Sequence, residues 1–116
     1  MDDTLDRLLD LDGWVLEVGY GFWVKIEARR VAPTVRKPSG INYSLCLFGP
    51  SDERLICYDN AHRIAVGSGP ARKRTKLSDH VHKGQKVKPY AYTDAETLLI
   101  DFWADVDRVL RERSEP

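Results

Sequence analysis

Ile41-Asn42-Tyr43-Ser44-Leu45-Cys46-Leu47-Phe48, Gly49-Pro50-Ser51-Asp52-Glu53 and Arg54-Leu55-Ile56-Cys57-Tyr58-Asp59 follow one another without a gap, and this run decides the fold. In the first segment Ile41, Tyr43, Leu45 and Leu47 share one side of an extended chain, because successive side chains of a strand point to opposite faces. The middle segment has turn chemistry, with Gly, Pro, Ser and Asp together, so Arg54 to Asp59 returns as an antiparallel partner.

Working upstream, Phe22 to Arg29 alternates just as cleanly, with Phe22, Val24, Ile26 and Ala28 on one face and Trp23, Lys25, Glu27 and Arg29 on the other. Trp14 to Val18 reads as a strand joined to it by the turn Gly19-Tyr20-Gly21. Before Gly13, leucines at 5, 8, 9 and 11 make Thr4 to Leu11 a short helix. Pro33, Pro38 and Gly40 break regular structure, which leaves Ala32 to Gly40 as a basic loop.

Downstream, residues 63 to 76 are rich in Gly, Lys and Arg and read as a mobile surface loop. Lys76 to His82, if extended, sets Ser78, His80 and His82 on one face and Leu77, Asp79 and Val81 on the other. Lys86 to Tyr92 is a further short strand, and Pro89 places it at an edge. Thr93-Asp94-Ala95-Glu96 has the form of a capping box with Thr93 as the cap. Leu99, Phe102, Trp103, Val106 and Leu110 then fall at helical spacing over about Asp94 to Arg113. The expected fold is α+β: a curved, mainly antiparallel sheet of about five or six strands, covered on one face by the C-terminal helix.

The chain of 116 residues is long enough for one core, so residues 1 to 116 are expected to form a single domain. An apolar fraction of 42% with three tryptophans fits a globular protein. No apolar run approaches the ~20 residues that span a bilayer, and the acidic Met1-Asp2-Asp3 start lacks a signal peptide's basic and apolar segments. A cytoplasmic protein without membrane association is expected. Cys46 and Cys57 lack zinc-motif spacing. They could face one another across the hairpin, but a reducing compartment favours two small, partly buried thiols.

The formal net charge of zero hides a segregation of sign. Residues 25 to 88 hold 14 Lys/Arg against 5 Asp/Glu, whereas residues 1 to 24 hold 1 against 6 and residues 89 to 116 hold 3 against 7. A basic middle suits a polyanion such as RNA, whose phosphates attract Lys and Arg regardless of sequence; it equally serves solubility. All three histidines lie in the same stretch, each closely preceded by an aspartate, in Asp59-Asn60-Ala61-His62 and Asp79-His80-Val81-His82. Imidazole titrates near neutral pH, so such a cluster offers proton transfer or metal ligation. Gly67-Ser68-Gly69-Pro70 lacks the strand, spacing and helix of a phosphate loop and reads as a connector.

The combination Pro38-Ser39-Gly40-Ile41-Asn42-Tyr43-Ser44-Leu45, Tyr58-Asp59-Asn60-Ala61-His62, Asp79-His80-Val81-His82-Lys83-Gly84, Pro89-Tyr90 and Leu98-Leu99-Ile100-Asp101-Phe102-Trp103-Ala104-Asp105-Val106 resembles the TumE family of prokaryotic toxins. The resemblance implies the toxin of a toxin-antitoxin pair, an mRNA endonuclease held by a DNA-binding antitoxin; a homo-oligomer stays open. Metal-free cleavage needs a base for the ribose 2′-hydroxyl, an acid for the departing 5′-oxygen and a cation for the charge on phosphorus. His80 and His82 are the acid/base candidates with His62 as an alternate, and Asp59 and Asp79 orient the imidazoles. Arg36, Lys37, Lys83, Asn60 and Tyr90 are the candidate RNA contacts. On this reading no metal or cofactor is required. Two alternatives compete: a metal-dependent nuclease at the same His/Asp cluster, and a non-catalytic nucleic-acid or ribosome binder.

Overall fold

The computed structural model of the chain describes residues 3–35, 39–60, 65–66, 73–74 and 79–114. Chain order is α1 (Asp3–Asp10), β1 (Trp14–Gly19), β2 (Phe22–Arg30), β3 (Ile41–Phe48), β4 (Arg54–Asp59), β5 (Ala65–Val66), β6 (Lys73–Arg74), β7 (His80–Lys83), β8 (Lys86–Pro89) and α2 (Ala95–Ser114). Six strands form one antiparallel sheet in the order β1-β2-β3-β4-β7-β8. The expected α+β class is the observed one. Within the stretch read as a loop, β5 and β6 pair with each other, Ala65 opposite Arg74 and Val66 opposite Lys73.

The period-two pattern fixes what the sheet buries. Val24, Ile26 and Ala28 of β2, Tyr43, Leu45 and Leu47 of β3, Ile56 and Tyr58 of β4 and Val81 of β7 all belong to one core with Leu8 of α1 and Leu98, Phe102 and Val106 of α2. Both helices therefore cover the same face, and the side chains that alternate with these residues point to the other. Between β1 and β2, Tyr20 and Gly21 both have positive φ, 56° and 81°, as a two-residue hairpin turn of type I′ requires.

Helix α2 begins one residue later than the capping box predicts. Asp94, rather than Thr93, is the cap: its Oδ1 accepts a hydrogen bond from the Thr97 backbone N–H at 2.7 Å, and the helix starts at Ala95. That bond stabilises the carboxylate and holds Asp94 below the ordinary aspartate range. The buried stripe is also turned by a residue. Ala95, Leu98, Phe102, Val106 and Val109 are buried, while Leu99, Trp103 and Leu110 are partly buried at its flank.

Three tyrosine–aspartate pairs fasten this face. Tyr43 Oη donates to Asp79 Oδ2 at 2.8 Å, Tyr90 Oη donates to Asp101 Oδ2 at 2.6 Å, and Tyr58 Oη donates to Asp105 Oδ2. The second and third tie the sheet directly to α2. Burial first, and the hydrogen-bonded carboxylate second, push all three phenols above their ordinary value of 10.0, with the neighbouring Asp79 charge preceding the hydrogen bond for Tyr43. The folded chain thus keeps protons that an unfolded chain would release. Stability is full below pH ~10 and falls as the pH rises beyond it. A urea series at rising alkaline pH should show that fall, and Tyr58→Phe should flatten it.

Candidate functional site

Strand register, not sequence neighbourhood, assembles the candidate site. On the face opposite the helices, one row runs Glu27, Ser44, Asp59, His80 and Pro89 across five strands, each residue paired with the next. The adjoining row runs Lys25, Cys46, Cys57, His82 and Val87. Asp59 therefore lies directly across from His80 and one row from His82.

The three side chains converge. His80 Nε2 is 2.8 Å from Asp59 Oδ1, and His82 Nε2 is 3.6 Å from Asp59 Oδ2. The imidazoles meet edge to face, with centroids 4.8 Å apart and planes at 81°. Burial grades across the group: side-chain exposure is 0% for His80, 3% for Asp59 and 15% for His82. The 2.8 Å approach is an ion-pair distance that does not carry a hydrogen bond. Both nitrogens of His80 are left without a hydrogen-bond partner among the described residues. Fully buried polar atoms in that condition are rare and ask for a partner.

Cys46 and Cys57 oppose each other directly in this register, with Cα atoms 4.1 Å apart, and are joined in a disulfide. The sequence reading allowed this facing across the hairpin but preferred reduced thiols; the structure has the disulfide. Ser44 Oγ lies 3.4 Å from Cys46 Sγ, and Cys57 Sγ lies 3.4 Å from Asp59 Oδ2, so the sulfurs floor the polar row.

The remaining sequence candidates are distributed differently. His62, Arg36 and Lys37 lie outside the described residues. Asp79 is on the helix face, where its carboxylate accepts a hydrogen bond from Tyr43 Oη at 2.8 Å. Lys83 alternates away from His82 and pairs with Asp105 of α2 at 3.4 Å. Tyr90 is likewise on the helix face, bonded to Asp101 and packed edge-on against Tyr58.

Asn60 is buried, and its amide is used up by the backbone of β3. Oδ1 accepts from the Tyr43 N–H at 3.0 Å and Nδ2 donates to the Ile41 carbonyl at 2.8 Å. It extends the β3–β4 ladder past its end. Asn60→Ala should cost about 2–3 kcal/mol in urea unfolding, since it strands two buried backbone groups; an unchanged midpoint would show that water replaces the amide.

Residues not singled out from the sequence join the same face. An open pocket of about 180 Å³ is lined by Glu27, Ala28, Arg29, Asn42, Tyr43 and Ser44. Ser44 links it to the cluster, being the register partner of both Glu27 and Asp59. The alternation of β2 and β3 marks Glu27, Arg29, Asn42 and Ser44 as one polar surface; only the register shows that His80 and His82 continue it.

An antiparallel sheet with helices on one face and a buried histidine–carboxylate group on the other defines a small α+β protein. Residues 12–110 match the model of the family described as Toxin TumE, and the chain belongs to that family. It is thus a toxin component of a toxin-antitoxin system, with an antitoxin as its partner. No curated protein and no solved structure matches the chain. No helix among the described residues is long and apolar enough to cross a membrane.

Proposed function

We propose that this toxin is a cytoplasmic endoribonuclease whose reactive centre is the Asp59–His80–His82 cluster. The observation that supports it best is the convergence of two imidazoles on one carboxylate on the sheet face opposite the core. The strongly basic middle of the chain attracts phosphate, and the cluster offers proton-transfer chemistry.

The proposed reaction is attack of a ribose 2′-oxygen on the adjacent phosphorus. The 2′-oxygen–phosphorus bond forms and the bond to the 5′-oxygen breaks. The proton leaves the 2′-hydroxyl and another is delivered to the 5′-oxygen, giving a 2′,3′-cyclic phosphate and a 5′-hydroxyl.

Burial divides the work within the cluster. His82 is the member that reaches the surface and meets the RNA, whereas His80, at 0% exposure, acts through Asp59 as a positioning residue. The sequence reading gave both imidazoles direct proton transfer, which requires approach to ~3 Å of the substrate. Only one of them has that access.

Purified protein incubated with RNA should yield fragments with cyclic phosphate ends, and His82→Ala should lower the rate by at least about 10²-fold. RNA binding should change little. A correctly folded His82→Ala that cleaves RNA and arrests growth like the parent would reject the cluster as the reactive centre and favour a binding toxin.

A further inference from the structure

We propose that Asp59, His80 and His82 together hold one first-row divalent transition metal, with its open coordination positions on the His82 side. This deepens the reading of the cluster as the reactive centre and rests on it for the metal's role in cleavage, though not for binding itself.

The first argument is geometric. One donor atom from each of the three residues can be chosen so that all lie within 4.8 Å of one another. Metal bonds of ~2.0–2.2 Å place neighbouring ligand atoms ~3–3.5 Å apart, so contraction by roughly 1.3–1.8 Å at the widest pair completes the set. The two approaches to Asp59, 2.8 Å to Oδ1 and 3.6 Å to Oδ2, are near that spacing, each to a different oxygen of the carboxylate.

The second argument concerns direction. A histidine that hydrogen-bonds a carboxylate aims its N–H at the oxygen. His80 Nε2 comes to 2.8 Å of Asp59 Oδ1 yet makes no hydrogen bond with it. Two ligands of one ion behave in this way, since both lone pairs point at the shared centre and not at each other. One of the two orphaned, fully buried His80 nitrogens then gains a partner, which removes part of the penalty.

The third argument is electrostatic. An excess of Lys and Arg near the histidines is the sequence-based objection to a bound cation. The fold removes Lys83 from this face and pairs it with Asp105. Lys25, the cation in the adjoining row, is paired with Glu27 at 3.4 Å. Asp59 and the two imidazoles form a donor set that suits zinc, iron, nickel or copper over magnesium or calcium.

Two imidazoles and one carboxylate leave positions for water and for a phosphate oxygen. Such a metal lowers the pKa of its bound water to about 7 in favourable sites and neutralises charge on the phosphate. With His82 engaged as a ligand, such bound water would take over the proton transfer otherwise assigned to that histidine.

The test uses the full chain, reduced, stripped of metal by a chelator and freed of the chelator. Titration with Co²⁺ should develop visible absorption saturating at one ion per chain, and Zn²⁺ should displace it. His82→Ala and Asp59→Asn should each weaken uptake by at least about 100-fold; Lys83→Ala should not. His82 lies at the rim, so its variant keeps the test valid if buried replacements unfold. Absence of a cobalt spectrum and of zinc uptake overturns the proposal, as does equal uptake by His82→Ala. Loss of zinc only in Cys46→Ser/Cys57→Ser would also overturn it, by placing the ion on the cysteines. RNA cleavage by a protein that binds no metal would sink the metal and leave the nuclease standing; stoichiometric binding without cleavage would do the reverse.

Discussion

Phe102→Ala should lower the unfolding free energy by about 3–5 kcal/mol, the range for deleting a fully buried aromatic ring. Phe102 has no exposed surface, sits in the α2 stripe between Leu98 and Val106, and meets Tyr58 edge-on at 6.1 Å between centroids. Its removal empties the centre of the contact between helix and sheet. Total stabilities of small domains run to roughly 5–15 kcal/mol, so this single change takes a large share. The loss should spread, because α2 also carries the Asp101 and Asp105 carboxylates that hold Tyr90, Tyr58 and Lys83. Urea unfolding followed by tryptophan fluorescence and far-UV signal should shift together. A cost under about 1 kcal/mol would mean that this ring is not the packing centre of the core.

The fold was legible because local and tertiary demands agree. β3 and β4 have the bounds their alternation and turn predict, and the sheet face they bury follows directly from Tyr43, Leu45 and Leu47. The helix was legible in extent but not in detail. Asp94 and Thr93 are both competent caps, and only backbone geometry selects between them.

At the site, the shared orientation of His80 and His82 came from period two alone. The same rule places Lys83, next after His82, on the opposite face, and Asp79 with it; grouping them with the histidines followed charge and chain proximity instead. The pairing of Asp59 with His80, and of Cys57 with His82, was not legible. β4 and β7 are separated by residues 60–79, with no short turn to set the register. The tyrosine–aspartate pairs were hidden for a related reason: each joins residues 11 to 47 positions apart, and no local pattern couples them.

The sharpest separation of function from stability is expected between two aspartates that the sequence treats alike. Asp59→Asn should reduce RNA cleavage by about 10²–10⁴-fold and abolish growth arrest, while Asp79→Asn should keep cleavage and lose stability. Each aspartate precedes a histidine closely, but the sheet separates them. Asp59 is central to the cluster, within 2.8 Å of one imidazole and 3.6 Å of the other. Replacing one oxygen with an amide nitrogen keeps shape and volume, yet removes the negative charge that would hold an imidazolium or a metal ion. Asp79 instead accepts from Tyr43 on the helix face, and its amide would accept that bond more weakly. Growth arrest, cleavage rate and urea midpoint measured on both variants give the comparison. Equal loss of activity in both, at equal stability, would show that Asp79 serves the reaction despite its face. Full activity in Asp59→Asn would remove the carboxylate from the chemistry and, with it, the cluster as the reactive centre.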